Sequence, residues 1–214
     1  MAARFLVAFV TTLACVAATA APTIDRWQFR VLLDDKEIGF HHYELVQDGD
    51  IRRMSSRAEF DIKFLFFTAF RYRHSLSSEW QGDCLSALST ETLTNGKEES
   101  LEGSLQQNGF VVQAGGEPVE LPACVMNFAY WDPQILEQER LLNPQTGEYL
   151  DVNVEIRDPA TVDIDGVQVE ADTYRITAKD MRIDLWYADD DKEWLALESL
   201  VEGGRIIRYE RIRT

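Results

Sequence analysis

Few residues in this chain have both the type and the spacing to do chemistry, and the cysteines come first. There are three: Cys15, Cys84 and Cys124. Cys15 closes "FLVAFVTTLAC", the apolar stretch of a leader, so removal of that leader would leave a single pair. A pair in an oxidising compartment reads as a disulfide between Cys84 and Cys124, with two buried free thiols as the competing reading. Closing a loop of about 40 residues stabilises a fold by about 4 kcal/mol in the chain-entropy model. No histidine lies near either cysteine in sequence, which makes the pair a poor metal site. His41 and His42 are adjacent, so a strand would send them to opposite faces. His74 stands alone in "RYRHS". All three histidines read as ordinary surface or rim residues.

The acidic stretches offer no better chemistry. "DDDKE" at 189–193 sets three consecutive aspartates between two strand-like runs. A calcium loop needs oxygens at alternating positions around a turn and a bidentate acid later. The stretch therefore reads as a polar hairpin tip, and "DIDG" at 163–166 reads the same way. There is no G-x-S-x-G, S-x-x-K, H-E-x-x-H or glycine-rich phosphate loop. No cofactor and no metal is implied. A hydrolase-like or other enzymatic site would have to be assembled by folding alone, for example from Glu79, Asp83 and Arg73 around a turn at Trp80.

The most unusual stretch is "CVMNFAYWDPQ" at 124–134. From Pro122 to Pro144 the period-two alternation stops, and apolar residues recur at three and four. Asp132 is placed to cap a short helix with Pro133 at its first position, so "DPQILEQERLL" predicts a helical turn or short helix. Phe128, Tyr130, Trp131 and Ile135 then either plug a core or floor a ligand site. Plug is the reading the residues favour, because the concave face of an open sheet needs cover. Burying such rings is strongly stabilising, at about 25 cal/mol per Å² of apolar area.

The elements that must position these residues are strands. "WQFRVLLDD" alternates Trp27, Phe29 and Val31 against Gln28 and Arg30. "IGFHHYELV" sets Gly39, His41, Tyr43 and Leu45 on one face and Phe40, His42 and Glu44 on the other. "IRRMSSRAEFDIKF" continues as one long strand or a bent pair. In the next run Phe70, Tyr72, His74, Leu76, Ser78 and Trp80 share a face, while Phe64 to Phe67 are apolar on both. Asn95-Gly96 is a type I′ hairpin signal. The weakly hydrophobic stretch from 99 to 121 predicts exposed edge hairpins, and the residues after 149 return to alternating strands. The prediction is all-β: a single antiparallel wrapped sheet, a β-roll or open barrel, with one short helical and aromatic insert around 124–140. No linker, repeat or domain boundary is visible, so residues 21–214 form one β-rich domain.

The N-terminus sets the expected compartment. Arg4, the apolar run and Ala18-Thr19-Ala20 make residues 1–20 a secretory signal peptide, cut after Ala20. A lipoprotein anchored through Cys15 is the lesser alternative, since the usual leucine three residues earlier is missing. No later stretch is apolar enough to span a bilayer. The chain carries 21 basic and 37 acidic residues, a formal net charge of −16. Such a surface repels phosphate backbones and anionic headgroups, which excludes nucleic acid as a partner. The chain reads as periplasmic, and its oligomeric state is left open.

Several pieces together resemble a family of uncharacterised exported bacterial proteins grouped as a domain of unknown function. They are "GDCL" at 82–85, "TNG" at 94–96, "FAYWDPQIL" at 128–136, "LLNPQTGEYLDV" at 141–152, "ADTYRI" at 171–176 and "LWYADDDKEWLALESLVEGGRIIRYE" at 185–210. The last also looks like the C-terminal hairpins of periplasmic β-roll proteins of unknown function. The resemblance implies an exported, wrapped all-β sheet and brings no catalytic residues. The function expected is a non-catalytic β-roll module binding an apolar envelope ligand or a protein partner. An enzyme, or a structural envelope protein, are the alternatives.

Overall fold

The structure, a computed structural model, describes residues 21–64 and 67–213. Residues 1–20, with Cys15 and the expected signal peptide, and Leu65 and Phe66 of the two-sided apolar run lie outside the described residues. Fifteen strands follow in order: β1 (Thr23–Leu33), β2 (Lys36–Asp48), β3 (Ile51–Phe64), β4 (Phe67–Gln81), β5 (Cys84–Thr94), β6 (Lys97–Leu105), β7 (Phe110–Gln113), β8 (Val119–Leu121), β9 (Arg140–Leu142), β10 (Tyr149–Asp151), β11 (Asn153–Ile164), β12 (Val167–Ala178), β13 (Met181–Ala188), β14 (Trp194–Val201) and β15 (Arg205–Ile212). Thirteen of them make one antiparallel sheet in the order β11-β12-β13-β14-β15-β1-β2-β3-β4-β5-β6-β7-β8.

That order fixes the role of the middle of the chain. β1 and β15 pair with each other at the centre of the sheet, so both arms are meanders running outward from there. β8 and β11 are the two free edges, so residues 122–152 must pass from one edge to the other. They do so across the face that carries the core. One cluster joins Leu101, Phe110 and Val112 near one edge, Ile176 and Ile183 near the other, and Val125, Met126, Ala129, Ile135, Leu141 and Leu142 of the crossing segment. The sheet therefore wraps around its own connection and remains open along its edges.

Local sequence explains the hairpins. Asn95 (φ 51°) and Gly96 (φ 88°) occupy the two positive-φ positions between β5 and β6, as the Asn-Gly pair predicts. Asp34 and Asp35 do the same between β1 and β2. Close approach rather than turning explains Gly39, where a Cβ would fall 1.8 Å from the Glu59 carbonyl oxygen of β3. Gly103 likewise leaves room for the Phe110 ring.

Two expectations need correction. The segment expected as a helix is a 3-10 helix over Pro133–Glu137 only, followed by a strand. Asp132 caps it through its side chain as predicted, but Gln138 is extended (φ −86°, ψ 141°). Leu141 and Leu142 then pair with Leu150 and Tyr149, which satisfies backbone groups a longer helix would have left facing the core. The hairpins of 99–121 do form an edge, but they are not simply exposed. Leu101, Phe110 and Val112 are buried because the crossing segment packs on them.

Candidate functional site

The crossing segment is fastened at one end of the roll by three kinds of bond. Cys84 and Cys124 are joined in a disulfide with Cα atoms 4.8 Å apart, closing a loop of sequence separation 40. The Leu85 amide donates to the Val125 carbonyl at 3.0 Å, continuing the tether as backbone hydrogen bonding. Arg52 of β3 donates to Asp132 at 2.6 Å and to the Gly82 carbonyl at 2.8 Å. The Asp132 side chain is 5% exposed and that of Arg52 15%, so this ion pair is largely shielded from water. The same guanidinium lies 5.0 Å from the Trp131 ring and 5.6 Å from Trp80, and the two indoles meet edge to face at 5.7 Å. Trp131 and Ile135 are buried in the core beneath this end.

Phe128 and Tyr130 do not share that burial. Both are half-buried against the core, and the Tyr130 ring lies 5.7 Å from that of Trp194. Strand register shows what else lines the concave face. Opposed positions in antiparallel strands share a face, so Tyr43, Ser56 and Leu76 form one row, and His41, Ala58, His74 and Thr92 the next. Val31 opposes Tyr209 across the central pair. Tyr43, Tyr72, Tyr130 and Tyr209 are only half-buried, yet burial pushes their phenols upward in pKa, strongly so for Tyr43 and Tyr209. These rings pack against the core clusters from the concave face without being fully covered.

Two histidines stand beside these rings, and here the sequence expectation fails. His41 and His74 are buried, each 8% exposed; only His42 is exposed. They lie on the inward face because their strands' parity matches Phe29 and Trp80. Burial holds His41 well below the ordinary histidine range and lowers His74 to about 4, so both are neutral at pH 7. His41 stacks on Tyr43 at 4.1 Å. Its Nδ1 lies 3.0 Å from the Tyr43 hydroxyl and 3.2 Å from that of Tyr209, and its Nε2 3.3 Å from Ser56 Oγ. His74 Nδ1 lies 2.8 Å from Thr92 Oγ1. Trp194 lies 5.1 Å from Tyr43 and 5.7 Å from Tyr130.

Other candidates disperse. Arg73 binds Asp61 and Glu59, Glu79 pairs with Arg53 at 3.1 Å, and Asp83 reaches Arg52 at 3.6 Å, so the three residues of the enzymatic alternative do not converge. In "DDDKE" the carboxylates of Asp190 and Asp191 accept from amides of their own turn, and Lys192 binds Asp172. Sequence reasoning missed Tyr43, Tyr209 and His41 as neighbours of Tyr130. The parity of Gly39-His41-Tyr43-Leu45 was a usable signal. The 168-residue separation of His41 from Tyr209 was not.

Among the described residues, no helix is long and apolar enough to cross a membrane. No match to the chain was found among curated proteins. Among solved structures, the chain is similar to a beta-barrel-like protein of domain of unknown function DUF1849 from Brucella abortus. The TM-score is 0.66 at 11% identity, covering 88% of this chain and 95% of that one. At that identity the likeness speaks for the fold alone. It matches the open, wrapped antiparallel sheet described above. At the level of sequence the assignment is direct: a family profile matches residues 29–212, and the chain belongs to the family described as domain of unknown function DUF6134.

Proposed function

We propose that this chain is an exported, non-catalytic binding module. It is made with residues 1–20 as signal peptide, acts in the periplasm as the single domain 21–214, and holds an apolar or amphipathic envelope ligand on the tyrosine-lined part of the concave face. Phe128 and Tyr130 floor that site, while Trp131 and Ile135 plug the end behind it. The observation that carries the reading is the group of half-buried aromatics on the concave face, with Tyr43 and Tyr209 meeting at His41 and Tyr130 5.7 Å from Trp194. Ligand sites are concave and mostly apolar, with a few convergent polar groups, and this face fits that description. The Cys84–Cys124 disulfide is compatible with an oxidising compartment.

Native mass spectrometry and lipid extraction of protein purified from its own envelope test the reading. A reproducible bound small molecule is expected, and repeated recovery of ligand-free monomer contradicts it. Intact mass checks maturation: the protein is expected to begin at Ala21 without lipid. A diacylglyceryl-modified Cys15 at the N-terminus would replace the soluble assignment with an anchored one.

A further inference from the structure

The two edges of the open sheet are unlike. β8 is 3 residues long, whereas β11 runs for 12, and neither has a strand on its outer side. An unpaired edge presents a row of N–H and C=O groups, a template for another strand. The first half of β11 is "NVEIR" at 153–157, and its Ile156, 83% exposed, is the most exposed large apolar side chain among the described residues. Register places Ile156 at the end of an inward apolar row, in which Leu197, Leu185 and Tyr174 lead to it across β14, β13 and β12. Leu197 and Leu185 are buried and Tyr174 is half-buried. The row stops where the sheet stops.

Glu155 and Arg157 flank Ile156 and point to the opposite face. Arg175, which opposes Glu155 on β12, is held by Asp184 at 2.6 and 2.9 Å, and the residue opposing Arg157 is Thr173. Glu155 and Arg157 approach each other at 3.7 Å and form no other ion pair among the described residues. Beyond Arg157 the pairing with β12 shifts register, and Pro159 has no N–H to donate, so an added strand has 153–158 to pair with. A second copy of the same strand complements this edge. In an antiparallel pair about a two-fold axis at Ile156, each Glu155 opposes Arg157 of the other copy, and Ile156 opposes Ile156, which carries the apolar row through the joint. An axis at Glu155 would set two carboxylates face to face, and one at Arg157 two guanidiniums, and like charges directly opposed are destabilising.

We infer that β11 is a self-association strand: two copies of this chain pair antiparallel through residues 153–158, centred on Ile156, and join their sheets into one. Main-chain hydrogen bonds supply the attraction, as in other strand additions, and the side chains set the register. The pairing is isologous and occupies β11 of both copies, so assembly stops at two. The joint is small and each chain carries a formal charge of −16, so the dimer is weak, with a dissociation constant on the order of 100 μM. Sedimentation equilibrium of the exported protein across that concentration tests it, and a monomer–dimer equilibrium is expected. Glu155→Arg alone and Arg157→Glu alone each set like charges opposite at both ends of the joint, and each is expected to weaken the dimer about tenfold or more. Both positions are exposed, so unchanged far-ultraviolet circular dichroism is expected for both variants. Mixed one to one, the two variants are expected to form a heterodimer about as tight as the unaltered dimer, because every facing charge pair is then opposite in sign. Monomer at every concentration would overturn the inference. So would a dimer indifferent to both substitutions, or variants that fail to complement each other in the mixture. Species larger than a dimer would mean that β11 pairs with β8 of the next copy, which overturns the closed two-fold joint.

Discussion

Strands β3 and β4 build both halves of the concave face, and they fill them differently. At one end they present Arg52, Met54, Ser78 and Trp80 to the crossing segment, which closes over them with Trp131, Asp132 and the Cys84–Cys124 bridge. A few residues along the same strands they present Ser56, Ala58, Phe60, Tyr72 and His74, of which only Tyr72 is half-exposed. The plugged end invests its aromatics in mutual contact and its one buried charge pair in locking a loop. The open end keeps Tyr43, Tyr72 and Tyr209 only half-covered, beside two buried histidines bonded to hydroxyls. The contrast separates an end fastened by covalent and ionic ties from one held by aromatic packing and hydroxyl–imidazole hydrogen bonds.

Substitutions should divide along the same line. The largest loss is expected from replacing both cysteines with serine, about 4 kcal/mol in the chain-entropy model, read as a lower urea midpoint. Trp131 should become more accessible to quenchers while β content in far-ultraviolet circular dichroism is retained. A global loss of β structure would show that the tether holds the whole sheet rather than the plug. Arg52→Ala should come next, at about 3 kcal/mol, because it strands the buried Asp132 carboxylate. Arg52→Met with Asp132→Asn should recover much of that loss. If it does not, cation–π contact with the two indoles matters more than the ion pair.

The open end should show itself in pH dependence. His74 titrates near 4 in the folded protein and near 6.5 when unfolded, because burial disfavours the imidazolium. Between those values the unfolded chain binds more protons, so stability is full above about 6.5 and is lost as pH falls toward 4. The effect should reach about 2–3 kcal/mol at pH 4, with His41 acting in the same direction. His74→Asn should flatten the stability curve across that window, and an unchanged slope would place the loss elsewhere. Smallest of all should be Tyr130→Phe, under about 1 kcal/mol by denaturant titration, since its hydroxyl has no partner among the described residues. A larger cost would mean that the hydroxyl serves the fold and not a ligand.

Much of this architecture was legible before folding. Alternation of Trp27, Phe29 and Val31 with polar neighbours specified strands and their inward face. Asn95-Gly96 specified a turn, because few residues tolerate positive φ twice in succession. Asp132-Pro133 specified the start of a helical turn, and the loss of alternation after Pro122 marked the insert. These are local effects of backbone sterics and side-chain period, and they act over a few residues. Tertiary structure decided the rest. Gln138 left the helix because Leu141 and Leu142 found strand partners. His41 and His74, which look like surface residues in isolation, are buried because the sheet wraps. Arg52 meets Asp132 across 80 residues, and His41 meets Tyr209 across 168. Such pairings depend on which strands become neighbours when β15 closes against β1. That choice belongs to the register of the whole sheet, and no short stretch of sequence encodes it.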